Sequence, residues 1–285
     1  MNEAPVDNNE LRLTATTPYE VPAFAQDAAL PDPDRPRWGP LTGIVVWIAS
    51  VAAIIVLPLI AVIAWYLIQS VRGAPLPSLG SRDAFLDWLK SPTLLLVQVL
   101  STIVAHATTI ALCWGAVTSL GKRRFTTSLG WDWAGHSLWY WIGFSGCVLF
   151  GLLIASRLLS RVLPESEQNA FSELLKSSQQ VRIAVAVLAT FTAPIVEETV
   201  YRGVLFSSLR KYLRATPTVL IVTLMFVGVH VLQYWGAWVS IAGLTLLSLT
   251  LTIVRARSKS ILPCVVIHTF NNAFFSVLIL LNRAT

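Results

Sequence analysis

Acidic side chains all but run out in the second part of this chain: beyond Glu173 the only carboxylates are Glu197 and Glu198. Acid or base chemistry performed there by a carboxylate must therefore use that pair. Charge is scarce throughout, at 13% of residues against 55% hydrophobic, which leaves too little polar surface to cover the core of a soluble domain. Cysteine is scarce too. Cys113, Cys147 and Cys264 all fall in apolar segments, show no metal-ligand spacing and form no disulfide framework, so they read as buried thiols. The chain has no segments of alternating polarity, which excludes a membrane β-barrel, and no HExxH pair. A charged region followed by an apolar stretch is missing at the N-terminus, so no cleaved signal peptide is expected. Nothing in the sequence resembles a nucleic-acid-binding module, and no nucleic-acid partner is expected.

What the sequence does have is long apolar runs of the length needed to cross about 30 Å of hydrocarbon as helices. They predict an all-α fold, a polytopic transmembrane bundle of about seven spans in contact with the lipid bilayer. The spans are placed near residues 41–69, 92–120, 137–163, 181–209, 217–233, 238–254 and 261–281. Residues 1–40 are acidic and carry seven of the 15 prolines, a composition that predicts a disordered tail. The chain then divides into that tail, a region of transmembrane helices and interfacial segments at 41–180, and a second transmembrane region at 181–281. Residues 81–90 and 164–180 read as interfacial or surface helices. Dense basic clusters at 121–124, 210–214 and 255–259 fall on one side of a seven-span chain, together with the N-terminus. By the positive-inside tendency that side is cytoplasmic, in a plasma membrane of bacterial type.

Three short patterns lie on three of the last four spans: Glu197-Glu198-x-x-x-Arg202, Phe226-x-x-x-His230 and His268-x-x-x-Asn272. Residues four apart share one face of a helix, so each span offers a small polar patch to its neighbours. At about 1.5 Å per residue, Glu197, His230, His268 and Asn272 all lie roughly 10–20 Å in from the same side, deep enough to meet in one site. Ionised groups at that depth are costly and mark function. A carboxylate and an imidazole converging there can activate water, while a second imidazole and a carboxamide can donate to the oxyanion formed when water attacks a carbonyl. That is a parts list for hydrolysis of a peptide or membrane protein without a covalent nucleophile. Glu198 and Arg202 read equally well as a supporting ion pair. His106, mid-span with no patterned partner, reads as a core residue.

EETVYR, FVGVH and HTFNN resemble the three motifs of the intramembrane CAAX-protease and bacteriocin-processing family, which includes the prenyl-protein endopeptidases. The resemblance covers residues 181–280. It implies a multi-helix bundle with an active site sunk in the membrane, a peptide or membrane-protein substrate, water activation by Glu197 with His230, and an oxyanion site made by His268 and Asn272. Two other readings stay open. In one, a divalent metal such as zinc is held by Glu197, His230 and His268. In the other, the same polar residues serve a scaffold, an immunity protein or a transporter.

Overall fold

In the computed structural model, residues 32–77, 80–164, 166 and 169–281 are described. Most of the expected tail, residues 1–31, lies outside them. Among the described residues every regular element is a helix. Six helices are long and apolar enough to cross a membrane, and a seventh is apolar but shorter.

The first span, α1 (Pro40–Val71), begins with proline at its first turn, where a missing N–H costs nothing, and contains Pro58 mid-helix. A short helix, α2 (Arg82–Leu89), is capped by Ser81, which accepts from the Ala84 amide, and packs Trp88 edge-on against Tyr66. The second span, α3 (Pro92–Thr118), lies along α1 and ends in two left-handed residues, Ser119 and Leu120. After the short α4 (Phe125–Leu129), α5 (Leu138–Leu159) starts at the Ser137 cap, and in its first turns Trp141 packs edge-to-face with Tyr140 and Phe144. Helix α6 (Ala170–Ser177) is closed by a reciprocal Asn169–Ser172 capping box. The last four helices are α7 (Gln179–Arg210), α8 (Ala215–His230), α9 (Trp238–Ser258) and α10 (Leu262–Leu281).

Helix α8 has 16 residues, about 24 Å, short of a full hydrocarbon thickness. It stops where the turn through Tyr234 and Gly236 brings the chain into α9. Two cores hold the bundle. One gathers the second half of α7 (Val200, Tyr201, Val204, Leu205, Phe206) with Val46, Cys113, Leu129, Val222 and Phe226. The other joins Trp141 of α5 to Leu247, Leu251, Cys264 and Ile267 of α9 and α10. Helix α1 comes so close to α7 that a Cβ on Gly43 would lie 2.2 Å from Ser208 Oγ. Glu198, Arg202 and His268 are buried within the bundle, while Glu197, His230 and Asn272 are half-buried.

Candidate active site

Helix α7 is not a uniform α-helix. It widens into π-helical turns at Leu188–Thr192 and Thr199–Leu205, and the α-helical turn between them, Ala193–Glu198, opens with Pro194. Proline has no N–H to give, which suits the start of a new turn. Each π turn adds a residue to the helix and offsets its faces, a feature frequent at functional sites. Carbonyls of these turns accept from side chains outside the helix. Asn272 Nδ2 donates to Ala189 O at 2.8 Å, Arg255 Nε to Arg202 O at 3.0 Å and Trp38 Nε1 to Val204 O at 3.1 Å. In hydrocarbon, where water cannot reach, such partners are needed wherever the regular ladder is disturbed.

Between the two π turns sit Glu197 and Glu198, with different surroundings. Glu198 is fully buried, and its Oε1 takes Arg202 Nη1 at 3.0 Å and His268 Nδ1 at 2.7 Å. Arg202 is buried as well. Its guanidinium also donates to Ser248 O, Ser248 Oγ and Thr252 Oγ1 of α9, and it stacks 4.8 Å from the centre of the Phe226 ring. Burying a charge is tolerable when it is paired and hydrogen-bonded, and Arg202 is both. Glu197 instead keeps 23% of its side chain exposed, with Oε2 3.8 Å from His268 Nε2. Of the two carboxylates, Glu197 is the one that can meet water or a substrate.

A carboxylate only accepts, so His268 presents Nδ1–H to Glu198, and Nε2 is left facing the Glu197 side. The same logic applies to His230. Its Nδ1 lies 2.7 Å from the Phe226 carbonyl, which places a proton on Nδ1. Phe226 is more than packing. Its ring is shared by Arg202, Tyr201, His230 and His268, at centroid separations of 5.0 Å to Tyr201, 4.8 Å to His230 and 6.2 Å to His268. Asn272 spends one amide hydrogen on Ala189 and has a second. The charge of Glu197 also reaches Tyr234, in the α8–α9 turn; burial first, and then this charge, push the Tyr234 phenol up to about 12.

The structure thus joins Glu197, Glu198, Arg202 and His268 in one network and brings His230 to it through Phe226. Three contacts had no signature in the sequence. His106 Nδ1 lies 2.9 Å from Thr192 Oγ1 on the first π turn, so His106 abuts the site helix. Trp47 Nε1 donates to Tyr201 Oη at 3.1 Å. Asp34 and Arg255 form a buried pair at 3.0 Å. The expected zinc ligands Glu197, His230 and His268 do not gather as a ligand set: among the described residues no three His, Cys, Asp or Glu side chains come together to hold a metal ion.

Comparison with the curated proteins and with the solved structures gives no match. A family model, Rce1-like type II CAAX prenyl endopeptidase, matches residues 179–274, which include Glu197, Glu198, Arg202, His230, His268 and Asn272. With its apolar helices and a carboxylate–imidazole cluster inside the matched stretch, the chain is an integral membrane protein whose segment from α7 into α10 is similar to the Rce1-like type II CAAX prenyl endopeptidases.

Proposed function

We propose that the chain is an intramembrane endopeptidase that hydrolyses a peptide bond in a membrane-associated or prenylated substrate, using water activated by Glu197 and His230. The observation that carries this reading is the contrast within the carboxylate pair: Glu198 is spent on Arg202 and His268, while Glu197 stays partly open beside His268. In the proposed cycle Glu197 takes a proton from water as the water oxygen bonds to the scissile carbonyl carbon. His230 Nε2 orients that water. The carbonyl oxygen gains the negative charge and accepts from His268 Nε2 and from the second Asn272 N–H. Donation by Nε2 requires His268 to be protonated on both ring nitrogens, a charge compensated by the two carboxylates that flank it. The C–N bond then breaks as Glu197 returns its proton to the leaving amine.

The test is proteolysis in proteoliposomes, with a fluorogenic prenylated peptide and a pool of small membrane proteins as substrates. Wild type is expected to cleave, and Glu197→Gln to lose about 10²–10⁴-fold in rate while still accumulating in the membrane. Retained cleavage by Glu197→Gln would sink the mechanism, and no cleavage by wild type would sink the function.

A further inference from the structure

Ahead of α1, and outside the stretch matched by the family, residues 32–38 lie against the ends of α7 and α9. Asp34 and Trp38 are both buried, and Arg255 of α9 is fully so. Asp34 Oδ1 meets Arg255 Nη1 at 3.0 Å, Pro33 O accepts from Arg255 Nη2 at 3.3 Å, and Asp34 Oδ2 lies 3.7 Å from Arg210 Nε. Arg255 also donates from Nη2 to Ser207 Oγ and from Nε to the carbonyl of Arg202. Trp38 reaches Val204 O on the same π turn, and Asp32 lies 3.4 Å from Lys259 Nζ. A fully buried guanidinium needs a carboxylate, and the later part of the chain has none to spare: Glu198 serves Arg202, and Glu197 faces the open side of the site. Asp34 supplies it from across the chain.

These contacts form a continuous series toward the reacting groups. Asp34 holds the Arg255 side chain, and Arg255 Nε holds the Arg202 backbone where the helix is widened. The Arg202 side chain holds Glu198, Glu198 holds His268 Nδ1, and His268 Nε2 faces Glu197. We propose that Asp34, acting through Arg255, is a positioning residue that sets the orientation of His268 in the active site. Its catalytic consequence rests on the proteolytic reading above; its geometric consequence does not. Losing the Asp34 charge leaves Arg255 buried and uncompensated, and Arg255 can keep its hydrogen bond to Arg202 O only if it keeps its place. A displaced Arg202 backbone moves the guanidinium that anchors Glu198.

The experiment uses the full chain in proteoliposomes and reads two quantities, peptide cleavage and the ¹⁵N NMR signals of the His268 imidazole, assigned with His268→Gln. For Asp34→Asn the expected result is a kcat about 3- to 30-fold below wild type with KM unchanged, together with a moved His268 signal. Asp83→Asn, an exposed acid on α2, should change neither. If Asp34→Asn does not fold, the double variant Asp34→Leu/Arg255→Met removes the pair without stranding a charge, and the same two readouts decide. An unmoved His268 signal in the folded variant overturns the proposal, whether or not kcat falls, because any effect then bypasses the series of contacts. Should wild type cleave nothing, the proteolytic reading fails by itself, and the His268 signal still decides the positioning role.

Discussion

Glu198 and Arg202 stand one helical turn apart with neither side chain exposed, and Glu198 is shared with His268. Removing one member of such a pair is far more damaging than removing both. Arg202→Met strands the Glu198 charge with His268 as its remaining partner and is expected to cost about 3–5 kcal/mol. Glu198→Gln/Arg202→Met should recover part of that loss, measured as thermal unfolding in detergent, and should remain inactive because His268 loses its carboxylate. A double variant no more stable than Arg202→Met would show that the pair is not electrostatically coupled. The residues of this site were legible in the sequence because each motif places its polar groups four apart on an apolar span. Their pairing was not. Local spacing gives Glu198 to Arg202, but which imidazole takes the shared carboxylate depends on how α10 lies against α7. Arg255 shows the same limit. In the sequence it belongs to a basic cluster at the membrane surface, yet it is buried because an acid 221 residues earlier comes to it.

Hydrophobic run length marks an element well, and the spans fall within a few residues of their predicted bounds; the helix of the 217–233 span, Ala215–His230, is as short as predicted and is not among the six long enough to cross. The π turns of α7 left no such mark. They arise where Asn272, Arg255 and Trp38 offer donors to carbonyls, which is a property of packing and not of the run itself. Connections between elements are also set by packing, as at Gly130 between α4 and α5. Its φ is +65°, its carbonyl accepts from the Ile261 amide, and a Cβ there would lie 2.2 Å from the Lys259 carbonyl. Gly130→Ala therefore combines left-handed strain with a backbone clash at the α9–α10 turn, and should cost about 2–4 kcal/mol. Gly135 is the control, with φ of +77° and nothing near its missing Cβ, so Gly135→Ala carries the strain alone, about 1–2 kcal/mol. Apparent unfolding temperatures in detergent measure the difference, and equal shifts at the two glycines would remove the clash from the account.

Across the whole molecule, internal pairing changes which basic residues can speak for orientation. Arg255 and Arg210 are engaged by Asp34, and Lys259 lies beside Asp32, so part of the basic excess on that side is neutralised by the N-terminal segment. Lys122, Arg123, Arg124, Lys211, Arg214 and Arg257 remain, packed into short connections. Basic residues on the other side, including Arg72, Arg82, Lys90, Arg157 and Arg161, are spread over longer stretches, and Lys90 is 3.9 Å from Glu173. Orientation follows the basic residues close to span ends in short loops, so the 121–124 connection is expected to face the cytoplasm, with the N-terminus on the same side. Thiol labelling with a membrane-impermeant maleimide in intact cells tests this. Cys113 and Cys264 are buried as expected, but Cys147, expected to be buried too, is exposed on α5, and Cys147→Ser removes that thiol. On that background Arg72→Cys should label in intact cells, and Lys122→Cys only after the membrane is opened. The reverse pattern would invert the bundle and place residues 32–38, and the Asp34–Arg255 pair they form, on the far side of the membrane.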